Sequence, residues 1–174
     1  MDILEVVVFA VAIFLFVYLL IMQPHKIKGM SMHPNFPDGE YLLTDKVSYR
    51  FGEPKRGDVV VFKAPTGQGD EYIKRVIGLP GDSVMVKSGK VYLNDALLNE
   101  TYLENTIITS SGKYLSEGKS VVVEPGTYIV IGDNRPHSSD SRAWGPITKA
   151  DITGRAWFVY WPFSNAGIVR GVTY

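Results

Sequence analysis

The sequence predicts a mainly β protein of many short antiparallel strands, preceded by one N-terminal transmembrane helix. An uncharged apolar run lies near the N-terminus, at residues 6–22. Beyond residue 26, short segments rich in Val, Ile, Tyr and Phe alternate with turns rich in Gly, Pro, Asp and Asn. No helical periodicity of useful length interrupts this second pattern, which is typical of an antiparallel β domain.

The apolar run predicts a membrane anchor. Residues 6–22 read VVVFAVAIFLFVYLLIM, which is about the shortest apolar segment that spans a bilayer as a helix. A buried core helix would carry polar residues at helical spacing, yet none occurs between Glu5 and Gln23. A cleavable signal peptide would have a cationic start and a small-x-small site after the run, and the sequence has neither. Pro24 disfavours helical geometry at Gln23, so residues 1–25 are predicted to form the anchor.

The charges beside the anchor bear on its orientation. Asp2 and Glu5 precede the apolar run, whereas Lys26 and Lys28 follow it. Basic flanking residues usually stay in the cytoplasm, so this pattern alone predicts a cytoplasmic domain after the helix. The family resemblance described below implies the opposite side.

Residues 26–174 are predicted to form one β domain. Turn signals such as PDGE, LPGD, KSGK and EPGT separate its strands. The strip 82–127 has hairpin signals of its own, which makes it a candidate peripheral subdomain. The predicted strands are, in order, EYLLTDKV, DVVVFKAP, YIKRVIGL, DSVMVKSG, KVYLND, SVVVEP, TYIVIGD and RAWFVYW.

The composition excludes several classes of protein. Eighteen basic residues balance eighteen acidic ones among 174 residues, so no net charge favours nucleic acid as a partner. The sequence has no cysteine, which excludes disulfides, thiolate metal sites and cysteine nucleophiles. His25, His33 and His137 lie too far apart for a zinc-binding motif, and no metal is expected.

A serine near the anchor is the first candidate catalytic residue. The segment GMSMHP, residues 29–34, places Ser31 among turn-forming residues. A serine becomes an effective nucleophile only beside a base. Taken alone, the segment also fits an ordinary loop.

A lysine on a predicted strand is the second candidate. In YIKRVIGLPGD, strand alternation puts Lys74 on the same face as Tyr72 and Val76. If that face points into the core, burial lowers the pKa of Lys74, and the amine can act as a base near neutral pH. A solvated strand lysine is the alternative that this segment leaves open.

Two further segments complete the pattern. GDNRPHSSDSR, residues 132–142, follows the apolar strand TYIVI, and polar loops at strand ends often carry functional sites. A solvated loop would have the same composition. RGDVVVF, residues 56–62, is interpreted as a turn that leads into a buried strand.

Together the four segments resemble the conserved boxes of the type I signal peptidases of bacteria and organelles. SMHP resembles the serine box of that family, RGDVVVF its second box, YIKRVIGLPGD its lysine box and GDNRPHSSDSRAWG its last box. Their order and approximate spacing match as well. The lysine in YIKRV is typical of the serine–lysine branch, since the endoplasmic-reticulum and archaeal branch has histidine there.

The resemblance implies a fold of two antiparallel sheets and a serine endopeptidase that removes signal peptides from exported preproteins after small-x-small motifs. It implies a single-pass protein of the cytoplasmic membrane, held in the lipid bilayer by its N-terminal helix. The catalytic domain would lie on the extracytoplasmic side. The enzyme would need no cofactor, and a monomer is expected.

The resemblance also assigns catalytic roles. Ser31 is expected to be the nucleophile and Lys74 the general base, with Ser138 hydrogen-bonded to the lysine amine. Asp140 and Arg142 of the last box are expected to form an ion pair that supports its loop. Asp133, in the same box, is expected to support the loop as well.

Substrate and oxyanion contacts follow from the same resemblance. Ile27, Ile73 and Tyr72 are expected to line pockets for small side chains beside an extended substrate. Some members of the family place a serine where Gly29 stands here. Backbone N–H groups, chiefly that of Ser31 with Gly29 beside it, are therefore expected to bind the oxyanion.

Three other functions compete with this hypothesis. A Ser–His–Asp hydrolase would use Ser31 with His33 or His137 and Asp140. A membrane-tethered domain that only binds partners would not need an intact set of Ser31, Lys74 and Ser138. A peptidase dedicated to one exported protein would keep both the fold and the dyad.

Overall fold

The computed structural model describes residues 2–65, 67, 69–172 and 174, except for the side chain of Leu19. The chain begins with α1 (Ile3–Phe16), which continues as a π-helical segment over Val17–Ile21. Within this described part of the chain, no helix is both long enough and apolar enough to cross a membrane. The predicted transmembrane helix is therefore not confirmed.

Short strands make up most of the remaining chain. Two four-residue helices, α2 (Ser48–Phe51) and α3 (Ser141–Trp144), lie between them, with 3-10 turns at Arg135–His137, Lys149–Asp151 and Phe163–Asn165. The strands are β1 (Met22–Lys26), β2 (Tyr41–Asp45), β3 (Val59–Lys63), β4 (Glu71–Gly78), β5 (Ser83–Lys87), β6 (Lys90–Leu93), β7 (Ala96–Leu97), β8 (Ser120–Val122), β9 (Thr127–Ile131), β10 (Ile147–Thr148), β11 (Ile152–Trp161) and β12 (Gly167–Ile168).

These strands form two antiparallel sheets, as predicted. The large sheet has the order β1-β2-β11-β3-β4-β9-β10, with β12 paired to β11. The small sheet has the order β7-β6-β5-β8 and lies entirely within the strip 82–127. The division of the chain into an anchor, a catalytic domain and a subdomain stays a prediction.

All eight predicted strands are present, and β1 is a strand that was not predicted. Helical geometry ends at Ile21, and Met22–Lys26, most of which lie within the predicted anchor segment 1–25, join the large sheet. Proline cannot donate to a strand ladder, yet Pro24 is tolerated because β1 lies at the edge of the sheet with β2 as its partner.

The large sheet is buried on both faces around β3. Val59 and Val61 belong to an apolar cluster with Ile27, whereas Val60 and Phe62 belong to a cluster on the other face. This alternation is the two-residue period of a pleated strand. The strand β4, which carries Lys74, pairs with β3 and therefore lies in the centre of the fold.

Candidate active site

The structure brings Ser31 and Lys74 together across 43 positions of the chain. Lys74 Nζ lies 2.8 Å from Ser31 Oγ and donates a hydrogen bond to it. The same amine donates to the carbonyl oxygen of Ile73, also at 2.8 Å. Among the described residues, Ser31 Oγ has no other hydrogen-bond partner. A serine hydroxyl beside a single amine is the arrangement of a nucleophile with its base.

Burial gives the Lys74 amine the chemistry of a base. Lys74 is only 3% exposed, and its strand neighbours Tyr72 and Val76 pack in one apolar cluster. Loss of water around the ammonium lowers the pKa of Lys74 to about 8, although the negative charges of Asp140 and Asp133 oppose this shift. The predicted burial of this strand face is confirmed, and the alternative of a solvated lysine is excluded.

The loop that carries Ser31 is held by local hydrogen bonds. Gly29 has φ of +87°, a left-handed conformation that glycine adopts without steric cost. Its N–H donates to Asp38 Oδ1 at 2.7 Å, so this group is not free for an oxyanion. The expected role of the Gly29 amide in oxyanion binding stays a prediction, and it requires the hydrogen bond to Asp38 to open. The N–H of Ser31 donates to no group in the part of the protein that the structure describes.

The expected ion pair of Asp140 and Arg142 is present and organises the loop 132–142. Arg142 binds both carboxylate oxygens of Asp140, Nε to Oδ1 and Nη2 to Oδ2, each at 2.8 Å. Both residues are buried. Asp140 Oδ2 also accepts the N–H of Gly132 at 3.0 Å, and Arg142 Nη2 donates to the Ser138 carbonyl at 3.2 Å. The pair thus joins the two ends of the loop beside the dyad.

The expected hydrogen bond between Ser138 and Lys74 is not formed. Ser138 Oγ is buried and has no partner among the described residues. Lys74 Nζ is turned toward Ser31 Oγ and the Ile73 carbonyl instead. A side chain at Gly132 would overlap both Ser138 Oγ and the Ser31 carbonyl oxygen. Glycine at this position therefore permits the serine loop and the 132–142 loop to meet.

Asp133 supports the site through a second buried ion pair. Arg75 Nε and Nη2 bind its two carboxylate oxygens at 2.9 and 2.6 Å. Asn35 Nδ2 donates to the same carboxylate at 2.9 Å. Arg75 also lies over the ring of Tyr102, 4.2 Å from its centroid. Asp133 thereby links β4 to the segment that follows Ser31.

A cleft of about 590 Å³ opens beside the dyad. Ile27, Ile73 and Tyr72 line it, as predicted, together with Ser31 and Lys74. The end of β1 and the residues just after it form one rim, and the first residues of β4 form the other. In the described part of the chain, no group of three or more His, Asp and Glu side chains could hold a metal ion.

Comparison with known proteins identifies the family. A family model described as "Signal peptidase, peptidase S26" matches residues 1–161. This chain belongs to the signal peptidase family S26. The match covers every segment on which the resemblance was based.

Similar proteins agree with this assignment. Signal peptidase IB of Staphylococcus aureus is 38% identical over 94% of this chain and 92% of its own length. Probable signal peptidase I-2 of Synechocystis is 37% identical over 86% of this chain and 67% of its own length. The crystal structure of a signal peptidase I from Enterococcus faecalis is 31% identical, with a TM-score of 0.50 over 60% of this chain and 97% of that structure. The chain is therefore a serine endopeptidase of the signal peptidase I type.

Two residues of this signal peptidase were missed at the sequence level. Asn134 joins the two catalytic loops, since its N–H donates to the Ser31 carbonyl at 3.0 Å and its Nδ2 to the Met30 carbonyl at 2.9 Å. Arg135 is buried, and its guanidinium forms an ion pair with Glu100. Glu100 belongs to the strip 82–127, for which the sequence indicated hairpins but no contact with the catalytic loops. No local pattern in the sequence marks Glu100 as the partner of Arg135, so this contact could not be predicted from the sequence.

In the part of the chain that the structure describes, no histidine of this signal peptidase hydrogen-bonds to the nucleophile. His33 is exposed, and its side chain does not hydrogen-bond Ser31 Oγ, whose partner is Lys74. His137 is exposed at the rim of the cleft. The geometry therefore disfavours a Ser–His–Asp mechanism.

Proposed function

We propose that this enzyme removes N-terminal signal peptides from exported preproteins and cuts after small-x-small motifs, with Ser31 and Lys74 as its catalytic dyad. The observation that carries the proposal is the 2.8 Å contact between Lys74 Nζ and Ser31 Oγ at the end of an open cleft. Membership of the signal peptidase family supports the substrate class.

The reaction begins when neutral Lys74 accepts the proton of Ser31 and Oγ bonds to the scissile carbonyl carbon. The N–H of Ser31 stabilises the oxyanion. Protonated Lys74 then gives its proton to the leaving nitrogen as the C–N bond breaks. The mature protein departs and leaves the signal peptide as an ester on Ser31. Water, deprotonated by Lys74, hydrolyses this ester and regenerates the enzyme.

The substrate binds as an extended strand between the two rims of the cleft. Residues 71–74 of β4 pair with β3 on one side, whereas β9 joins β4 only from Arg75 onward. Among the described strands, β1 likewise pairs only with β2. Open strand edges of this kind bind peptides through backbone hydrogen bonds. Ile27 and Ile73 leave room for small side chains near the scissile bond.

The cleavage position tests this function directly. A purified preprotein incubated with the full chain in detergent should be cut after a residue such as Ala, Ser or Gly, with another small residue two positions earlier. N-terminal sequencing of the released product identifies the site. Efficient cleavage after large or charged residues would contradict the proposal.

We also propose that the N-terminal helical segment attaches the enzyme to the cytoplasmic membrane, with the domain from residue 26 outside. None of the described side chains of α1 is buried, and Leu4 and Phe9 are 74% and 71% exposed. Exposed apolar groups in such number are stabilised by lipid. The dyad and both rims of the cleft come from one chain, so a monomer suffices.

Protease accessibility tests the orientation. Protease added to intact spheroplasts should degrade the domain from residue 26, while a cytoplasmic marker protein stays intact. If the domain is protected until the cells are lysed, the extracytoplasmic location is wrong. The domain would then be cytoplasmic, as the positions of Lys26 and Lys28 alone predict.

A further inference from the structure

The floor of the cleft has two successive layers of side chains, one apolar and one polar. The apolar layer lies nearer to the dyad and consists of Ile27, Leu42, Val61 and Ile73. Two residues farther along three of the same strands, the side chains become polar. This polar layer consists of His25 and Glu71, which line the cleft, and of Thr44 and Thr153 of β11, which hydrogen-bond to them from behind.

Hydrogen bonds connect the polar layer across the cleft. His25 Nε2 lies 2.7 Å from Glu71 Oε2, and His25 Nδ1 lies 2.8 Å from Thr44 Oγ1. Thr153 Oγ1 donates to the other carboxylate oxygen of Glu71. The contact between His25 and Glu71 therefore joins β1 to β4, the strands that carry the two rims. The side chains of His25 and Glu71 remain 15% and 29% exposed, so a ligand can reach both.

The spacing of the two layers matches that of an extended substrate. His25 lies two residues from Ile27, and Glu71 lies two residues from Ile73, so each pair faces the same side of its strand. In an extended peptide, the first, third and fifth residues before the cut also point to one side. With the first side chain beside the dyad and the third over the apolar layer, the fifth lies over His25 and Glu71.

We propose that His25 and Glu71 form a subsite for the fifth residue before the cut, and that this subsite favours a hydrogen-bonding side chain over a large apolar one. The inference rests on the proposed function above. A side chain such as that of glutamine can replace the water that Glu71 loses when the substrate binds. A leucine covers the Glu71 carboxylate but forms no hydrogen bond with it, so the carboxylate loses a hydrogen-bond partner when this substrate binds.

The test uses two peptides that differ only at the fifth position before an Ala-x-Ala cleavage site, with Gln in one and Leu in the other. For the wild-type enzyme, kcat/KM should be about tenfold higher for the Gln peptide, the ratio expected for one unsatisfied polar contact. Glu71→Leu should bring the ratio to about one or reverse it, and His25→Leu should reduce it. Glu71→Gln should keep the preference, because the amide still forms hydrogen bonds.

Glu53→Leu is the matched control. Glu53 also accepts hydrogen bonds from a basic side chain, Lys149, and from a hydroxyl, that of Tyr128, but it does not line the cleft. This variant should keep the wild-type ratio. The ratio compares two peptides on one enzyme preparation, so partial unfolding of a variant does not alter it.

Two outcomes separate the subsite from the proposed function. Equal ratios for the wild type and Glu71→Leu, or a wild-type ratio of one, would overturn the subsite while peptide cleavage upheld the peptidase. Failure of the wild type to cut either peptide would overturn the proposed function, and the subsite with it.

Discussion

Alanine at either Ser31 or Lys74 is expected to lower kcat/KM by at least about four orders of magnitude, the scale of loss when a nucleophile or its base is removed. Ser31→Ala removes the attacking oxygen, and Lys74→Ala removes the group that takes its proton. The double variant should be no less active than either single variant, because residues that act as one unit are not additive. Cleavage of a preprotein by each purified variant, followed by gel densitometry, measures these losses.

The histidines provide the control for this experiment. His33→Ala and His137→Ala should each retain most of the activity, since Ser31 Oγ is hydrogen-bonded to Lys74 and not to an imidazole. Wild-type activity of Lys74→Ala would refute the assignment of the base. Complete loss on replacement of His33 or His137, in a folded variant, would instead support the Ser–His–Asp hypothesis.

The second large effect is a rise of kcat/KM with pH. Burial lowers the pKa of Lys74 to about 8, and the amine accepts a proton only in its neutral form. The neutral fraction increases about tenfold for each pH unit below the pKa and is nearly complete above it. We therefore expect kcat/KM to rise about fiftyfold from pH 6 to pH 8 and to reach a plateau above pH 9, about a hundredfold above its value at pH 6.

A peptide substrate without titratable side chains isolates this effect. The profile should be measured from pH 6 to pH 10, with circular dichroism at each pH to show that the fold is retained. His137→Ala should have the same midpoint, which would exclude the histidine at the rim as the titrating group. A flat profile, or one that falls between pH 6 and pH 8, would contradict a neutral lysine base.

Local patterns in the sequence were sufficient for much of the fold. The strand β3 is predicted by DVVVFKAP because a continuous run of β-branched residues packs well only when both faces of a strand are buried. Alternation around Lys74 likewise predicted the face on which its amine is buried. These features depend on neighbours along the chain, and such neighbours are visible in a sequence.

Other features depend on which distant groups meet. Met22–Lys26 follow an apolar helix and contain a proline, so only the pairing with β2 shows that they form a strand. Competition among hydrogen-bond partners gave the Gly29 amide to Asp38 and left Ser138 Oγ without a partner among the residues that the structure describes. Neither result follows from the residue types in the boxes.

The tertiary structure also decided the composition of the site beyond the dyad. The pairs Arg135–Glu100 and His25–Glu71 join residues that lie 35 and 46 positions apart. The first pair requires the segment after β7 to pack near the 132–142 loop. The second requires the edges of β1 and β4 to approach each other. A sequence lists the charged and polar groups, but burial and distance determine which of them interact, because electrostatic and hydrogen-bond energies depend on both.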